Sequence, residues 1–591
     1  MFDITTKANI DQWLSGPYDQ ATQQWINQTL QKDPKQLIDS FYTSLSFGTG
    51  GLRALTGIGP NRLNKYTVMI ATQGLANYIK KHASISNEPK AVFIGYDCRL
   101  DSKLFAQIVA QVFAANGIKS YLCNDIEPTP LISFGCRWKK CMAAVMITAS
   151  HNPPEYNGYK IYWSDGAQIV FPHDQGIFEE MQLCQQIEQV TIASMDHPGI
   201  VKIGNELHQE YLKTHYSYSF YPQDNNQQGK TLKVVYSSLH GTGIRIIPKF
   251  LNTWGFTSVE TVKEQENPDP YFSSVLSPNP ENPEALVLGI KQMVDTKADL
   301  LLATDPDSDR LGIAIRHQKK IEILNGNQIA VLCLHHICEA YQKQNNWPER
   351  AAFIKTIPTT ELFAVIAKSY QKPCLNVLTG FKYIAEKIRE WEDNPKDGYQ
   401  YIFGGEESFG YLLGTQVRDK DAVSSAALIC EMALQAKLKG KTLLDELNDL
   451  YRRYGVYQEA LKTISFPDSK EGKQGIDLKM ERLRTEGLTH LKGIPVVFID
   501  DYITSTRKDC LTDESEFLKM PPTNMLVITL EDGSKLIIRP SGTEAKIKIY
   551  GSSFIKVSKE ISDEELERAK VEAKEKVECL LEEISHFLCA S

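Results

Sequence analysis

Apolar residues along this chain arrive alternately in short runs and in helical stripes. Residues 90–97 (KAVFIGYD) form a compact apolar run and predict a buried strand. Residues 102–117 (SKLFAQIVAQVFAANG) repeat their apolar positions at helical spacing and stop at Gly117, and 119–123 (KSYLC) returns to a strand. A further run, CMAAVMI at 141–147, gives way abruptly to Thr148, Ser150, His151 and Asn152 ahead of Pro153 and Pro154. The alternation restarts at 232–238 (LKVVYSS), passes a helix near 246–255 and comes back in 298–304 (ADLLLAT). It restarts once more at 351–357 (AAFIKTI), with a helix over 359–370 and strands at 374–378 and 399–405. Three successive α/β units of similar topology follow, and sheets of that kind carry ligands at the carboxyl ends of their strands.

The last segment is patterned differently. Residues 525–540 (MLVITL, EDGS, KLIIRP) have hairpin chemistry, 545–550 alternate as a half-buried strand does, and a charged amphipathic helix runs from Asp563 to His586. That predicts a C-terminal α+β domain. Turn-forming composition marks joints at 223–230, near 322–327 and at 466–475. The expected spans are 1–207, 208–322, 323–465 and 466–591, and residues 1–40 carry no interpretable motif.

Composition narrows the class. With 591 residues, 42% hydrophobic and 23% charged, the chain is an ordinary globular protein long enough for several cores. A net charge of −8 argues against a general nucleic-acid or membrane-surface binder. No apolar run approaches the roughly 18 residues of a membrane span, and the start MFDITTKANIDQW lacks an apolar signal region, so a cytoplasmic protein is expected. The 12 cysteines are scattered without metal-binding spacing, and CLHHIC at 333–338 reads as helix packing.

Four polar clusters carry candidate chemistry. At 148–153 a serine stands at a strand tip, where loop N–H groups can hold a phosphate or developing oxyanion; the plainer reading is a capped turn before Pro153. In ATDPDSDRLG, Asp305, Asp307 and Asp309 follow an apolar strand directly. Three such carboxylates repel one another unless a hard cation such as Mg²⁺ neutralises them. An EF-hand fits poorly, because Arg310 and Arg316 stand at its glycine and bidentate glutamate positions. In FGGEESFGYLLG, Glu406 and Ser408 suit vicinal sugar hydroxyls, although a plain turn explains them equally well. In RPSGTEAK, Arg539, Ser541, Gly542 and Thr543 make a phosphate cradle or a simple turn. Asp305 as the nucleophile of an aspartyl phosphatase is a competing reading that leaves the first and fourth clusters unemployed, and a non-catalytic sugar-phosphate binder is another.

In content and order the four clusters resemble the α-D-phosphohexomutase family, which includes phosphoglucomutases and phosphomannomutases. TASHNP is similar to that family's phosphoserine loop, DPDSDR to its magnesium loop, GEESFG to its sugar loop and RPSGTE to its phosphate loop. FGTGGLR (47–53) brings an active-site arginine, Arg53, and TGFKYI brings Thr379, Gly380 and Lys382. The length resembles the branch containing phosphoglucomutase, phosphopentomutase and glucose-1,6-bisphosphate synthase members. The resemblance implies a heart-shaped, four-domain enzyme that interconverts sugar 1- and 6-phosphates through phosphorylated Ser150 and a bisphosphorylated sugar. It further implies Mg²⁺ on Asp305, Asp307, Asp309 and the phosphoserine, Arg310 beside it, and glucose 1,6-bisphosphate as activator. Arg539, Ser541, Gly542 and Thr543 would grip the non-reacting phosphate, and Glu406 and Ser408 the ring. For the general acid/base the implied candidate is Lys160, its pKa lowered by Arg53, Arg310 and Mg²⁺, with Lys420 for the opposite sugar orientation and His151 as the alternative. Glucose, mannose and pentose substrates, mutase or synthase activity, and oligomeric state all stay open.

Overall fold

The apolar run at 90–97 becomes the strand Ala91–Tyr96, which lies inside a six-stranded sheet with its side chains buried on both faces. In the computed structural model this sheet runs Gly51–Leu55, Tyr156–Trp163, Ala143–Ile147, Ala91–Tyr96, Lys119–Cys123, Ile200–Ile203. The last four are mutually parallel, and Tyr156–Trp163 and Gly51–Leu55 add antiparallel at one edge. Helices Lys65–Ala83 and Ser102–Ala115 supply Leu75, Ile79, Phe105, Val109 and Phe113 to the core against the sheet. The structure describes all residues except 1, 46, 47, 49, 84–89, 185, 468, 469, 542–544, 590 and 591.

The second sheet repeats the plan with Lys320–Leu324, Leu311–His317, Leu300–Thr304, Val234–Ser237 and Val259–Thr261. Its last three strands are parallel, and Leu311–His317 folds back as a hairpin on Leu300–Thr304. Every residue of Leu300–Thr304 is buried, as a strand covered on both faces requires.

Contacts divide the chain into two units. One comprises Met1–Gly326, Pro348–Arg350 and Phe381–Gly440; the other comprises Asn327–Trp347, Ala351–Gly380 and Lys441–Ser591. The third α/β segment contributes to both. Its parallel pair Ala351–Thr356 and Cys374–Val377 belongs to the second unit, and the hairpin Gln400–Glu406/Gly410–Leu413 with helix Ala422–Leu438 belongs to the first. The second unit also holds the C-terminal antiparallel sheet. There Val456–Ser465, Lys546–Ile555, Lys535–Pro540 and Leu526–Leu530 pack Ile538, Ile547 and Ile549 against helix Asp563–Cys589.

Two stretches gain structure that their sequence did not announce. The joint expected at 223–230 contains the helix Pro222–Gln228, whose buried Asn225 donates to Glu431 Oε2 of helix Ala422–Leu438 at 2.7 Å. The uninterpreted residues 1–40 form helices Ile4–Ser15, Gln20–Lys32 and Pro34–Phe41, each N-capped by an aspartate (Asp3, Asp19, Asp33). Their apolar face, Ile10, Trp13, Ile26, Leu37 and Phe41, is completed by Tyr18 and Tyr66. All twelve cysteines carry free thiols, with Cys333 and Cys338 buried in helix Gly326–Gln344 as packing predicts. Among the described residues no helix is long and apolar enough to cross a membrane.

Candidate active site

Strand Ala143–Ile147 ends in Thr148, and at Ser150 the backbone enters the left-handed region (φ 52°), a conformation that costs a non-glycine residue about 1 kcal/mol. The loop compensates with hydrogen bonds. Ser150 N–H donates to Thr148 Oγ1 (2.9 Å), and the Ser150 carbonyl accepts from Arg99 Nη2 (2.6 Å). So held, the buried Ser150 hydroxyl donates to Asp305 Oδ2 at 2.6 Å, and His151 Nδ1 lies 3.2 Å from Ser150 Oγ.

Asp305, Asp307 and Asp309 leave the end of Leu300–Thr304, all buried, with one oxygen of each within 4.8 Å of the others. Asp305 Oδ1 accepts the N–H groups of Asp309 (3.1 Å) and Arg310 (3.0 Å). Asp307 Oδ2 accepts from Thr129 Oγ1 and from Lys160 Nζ, each at 2.7 Å. Asp309 Oδ2 lies 3.2 Å from both Lys160 Nζ and Lys420 Nζ. That leaves Asp307 Oδ1 and Asp309 Oδ1 buried without a hydrogen-bond donor. Burial, and then Asp307 and Asp309, push the Asp305 carboxyl well above its ordinary range, whereas Lys160 acts to lower Asp307, and Lys420 with Lys160 to lower Asp309, against their burial. Orphaned oxygens in an all-oxygen donor set fit a hard divalent cation. Asp305 does not fit an aspartyl nucleophile, because Oδ1 is taken by loop N–H groups and Oδ2 by Ser150.

The loop carrying these aspartates is braced from strand Val234–Ser237. Thr242 N–H donates to the Pro306 carbonyl (2.8 Å), and a Cβ at Gly241 would fall 2.3 Å from Pro306 Cα, so only glycine admits that approach. The hairpin Gln400–Glu406/Gly410–Leu413 is tied to the same place by Leu311 N–H donating to the Phe409 carbonyl (2.9 Å).

Cations surround the cluster. Lys160 stands on Tyr156–Trp163 opposite Met146 and Gly51, a register that brings it to Asp307 and Asp309. Its expected lowered pKa is not found. Burial and Arg53 act downward, but Asp307, Asp309 and Asp419 outweigh them and hold the ammonium above its ordinary value. Lys420 is likewise raised: burial opposes, and Asp309, Asp419 and Glu406 prevail. A Cβ at Gly410 would meet Lys420 Cδ at 2.1 Å, so this lysine fills the space a side chain at 410 would need. Arg310 pairs with Glu281, and that contact, with Asp309, Asp305 and Glu406, more than offsets its burial. His151 is driven the other way by burial, then Arg310 and Arg53, and is neutral near pH 7. Arg53, on Gly51–Leu55, donates to Asn152 Oδ1 at 3.1 Å.

Of the expected residues, the first unit therefore brings together Ser150, His151, Lys160, Asp305, Asp307, Asp309, Arg310, Arg53, Lys420 and the buried Glu406. Ser408 sits in the turn of the same hairpin. Lys382 opens helix Phe381–Asp393, its pKa lowered by burial despite nearby Asp174 and Glu386. Thr379, Gly380, Arg539 and Ser541 belong to the second unit, where Arg539 Nη2 donates to Tyr550 Oη (3.3 Å) and Arg539 Nε is buried without a partner. Gly542 and Thr543 lie outside the described residues.

Sequence reasoning missed Arg99, Thr129, Glu281 and Asp419. Arg99 had a usable signal, the polar group DCR directly after an apolar strand, the same signature that exposed Ser150 and the aspartates. Asp419 lay beside Lys420 in VRDKD, where it now accepts from Tyr162 Oη and Gln168 Nε2, both at 3.0 Å. Glu281 lies in a proline-rich stretch with no periodic pattern, and nothing local marked it.

Known proteins bear on this arrangement. Three family models, phosphoglucomutase/phosphomannomutase α/β/α domains I, II and III, match residues 44–187, 209–319 and 325–454. A phosphoglucomutase of Staphylococcus haemolyticus is 36% identical over 538 residues, covering 88% of this chain and 93% of its own. One from Staphylococcus aureus is 37% identical over 544 residues, covering 91% and 94%. Solved structures share the fold at low identity. The parafusin phosphoglucomutase of Paramecium aligns with a TM-score of 0.64 at 17% identity, covering 91% of this chain and 96% of that one. A phosphoglucomutase/phosphomannomutase family protein of Burkholderia thailandensis aligns at 0.62 and 17%, covering 90% and 96%. With mixed α/β sheets in about four domains and matching models along most of its length, the chain belongs to the phosphoglucomutase/phosphomannomutase family of α-D-phosphohexomutases and is a phosphoryl-transferring isomerase of the sugar-phosphate mutase class.

Proposed function

We propose that this enzyme interconverts glucose 1-phosphate and glucose 6-phosphate through a phosphoserine at Ser150 and a bisphosphorylated sugar. The observation that carries the reading is the buried Ser150 hydroxyl, 2.6 Å from Asp305 and facing three carboxylates with two orphaned oxygens. Phosphorylated Ser150 gives its phosphoryl group to the free hydroxyl of the sugar monophosphate. The O–P bond to Ser150 breaks as the sugar O–P bond forms, and after the bisphosphate reorients the other phosphate returns to Ser150. Glucose is favoured by the Staphylococcus relatives, which carry that specificity in their names and match over nearly their full length.

Asp305, Asp307 and Asp309 would hold Mg²⁺, which when bound supplies positive charge beside the transferring group. Arg310, kept in place by Glu281, sets a guanidinium beside the cluster, with its Nε 3.9 Å from Asp309 Oδ1. Lys160 Nζ, buried between Asp307 and Asp309, supplies a proton to the oxygen that leaves and takes one from the oxygen that attacks. Lys420 repeats the arrangement from the sugar-loop side for the opposite orientation. Glu406 and Ser408 receive the ring hydroxyls, Lys382 and the loop at Thr379 and Gly380 read ring orientation, and Arg539 with the Ser541–Thr543 loop grips the non-reacting phosphate. Glucose 1,6-bisphosphate activates by phosphorylating Ser150, and the enzyme works in the cytoplasm.

Turnover of glucose, mannose and ribose 1-phosphates, with and without glucose 1,6-bisphosphate, tests the reading. Isomerisation of the glucose ester, accelerated by the bisphosphate and without phosphate release, is expected; steady phosphate release overturns it. Chelation should remove activity and Mg²⁺ restore it. In calorimetric titration Asp307→Asn should bind Mg²⁺ at least about tenfold more weakly, because the site loses one of its three charges. Full turnover in EDTA would refute the metal assignment.

A further inference from the structure

We propose that Arg99 is a positioning residue for phosphoryl transfer: its guanidinium fixes the loop on which the Ser150 oxygen stands. The proposal rests on the phosphoserine reading above and deepens it. Arg99 follows the strand Ala91–Tyr96 by three residues and is only 3% exposed. Its Nη1 donates to the carbonyls of Pro153 (2.8 Å) and Tyr156 (2.9 Å), and its Nη2 to those of Ser150 (2.6 Å) and Asn152. Four carbonyls of one seven-residue loop thus converge on one planar fork.

The fork is itself immobilised. Asp97 Oδ2 lies 3.3 Å from Arg99 Nε, while Asp97 Oδ1 accepts from Arg99 N–H (2.9 Å) and Ser102 Oγ (2.8 Å). The ring of Phe272 covers the guanidinium, 4.9 Å from its centroid. Inside the loop, the main-chain to main-chain bonds among the described residues are short turn bonds, Asn152 N–H to the Ala149 carbonyl and Tyr156 N–H to the Pro153 carbonyl, both at 3.1 Å. Pro153 and Pro154 add no donors. Ser150 sits at positive φ, which the local sequence does not favour, and Arg99 is the outside group that bonds its carbonyl, while Thr56 bonds the Glu155 carbonyl and Arg53 the Asn152 side chain. Because a planar peptide points its C=O and N–H in opposite directions, tying the Ser150 carbonyl to Arg99 also sets the His151 N–H on the far side. The hydrogen bonds from Arg99 to this loop are all to main-chain carbonyls, so it acts through the backbone position of Ser150.

Lysine preserves the charge but cannot fork to four carbonyls, which separates positioning from mere charge or folding. The test is single-turnover transfer from glucose 1,6-bisphosphate to dephosphorylated enzyme, followed by quenched flow and intact mass, for Arg99→Lys and Arg99→Met. The amplitude reports how many Ser150 sites are correctly folded, and the rate constant reports their alignment. We expect Arg99→Lys to melt a few degrees lower, because carbonyls of the loop lose their donors, yet to keep its Mg²⁺ affinity and its amplitude and to hold KM for sugar phosphate within about threefold, while the rate constant falls ~10²-fold. Arg99→Met should be at least as slow. A native rate constant in Arg99→Lys overturns the proposal, as does a loss confined to amplitude in both variants. If the unaltered enzyme takes up no phosphate on Ser150, the parent reading falls instead, and this proposal with it.

Discussion

Ser150→Ala is expected to lower kcat by about 10⁴-fold or more while leaving the fold and the carboxylate cluster in place. The substitution removes one buried oxygen, Ser150 Oγ, whose hydrogen bonds run to Asp305 Oδ2 and His151 Nδ1. Asp305 keeps its two backbone donors, so the aspartate loop retains its shape, and Arg99 still holds the Ser150 carbonyl. What disappears is the atom proposed above to carry the phosphoryl group between the two half-reactions. Intact mass should show one phosphate on the unaltered enzyme after incubation with glucose 1,6-bisphosphate and none on the alanine variant. Equal phosphate on both would place the modification elsewhere and end the assignment. The sugar phosphate itself should still bind, because its grip is proposed to lie in Glu406, Ser408 and Arg539 rather than in Ser150, and binding by calorimetry is the control.

Lys160→Met carries the second largest effect, a fall in kcat of ~10² to 10⁴-fold with Ser150 still phosphorylated. Methionine keeps much of the side chain's length and removes only the ammonium. In the structure that ammonium bonds Asp307 at 2.7 Å and Asp309 at 3.2 Å, competing with a divalent cation for the same carboxylates. Deleting it should therefore leave Mg²⁺ affinity unweakened, which distinguishes lost proton transfer from a lost metal. Asp307, Asp309 and Asp419 hold the Lys160 ammonium above its ordinary range, so on the proposed mechanism Lys160 would act first as the proton donor. His151→Gln is the discriminating partner. A Lys160→Met enzyme of near-native kcat, beside a His151→Gln enzyme that has lost it, would move the acid/base role to His151.

The local sequence determined where chemistry could sit. The first two candidate loops were legible because an apolar run breaks into polar residues within one or two positions, as Ile147 does before Thr148 and Ser150, and Ala303 before Thr304 and Asp305. Strand and helix order followed from the alternation of apolar runs and stripes, since both periods are local properties of the backbone. The N-terminal helices were illegible for the converse reason. Their aspartate caps are visible at positions 3, 19 and 33, but their core is completed by Tyr66 from a later helix. Tertiary structure alone decided which charges meet. Lys160 reaches Asp307 across 147 positions and Thr129 reaches it across 178, and both depend on sheet order and register. A one-residue slip of Tyr156–Trp163 would turn Lys160 to the opposite face. The protonation of that lysine was equally beyond the sequence. Its sign comes from summing burial, Asp307, Asp309, Asp419 and Arg53 at distances that exist only once the strands have paired, because Coulomb energies depend on separation and local dielectric rather than on residue type.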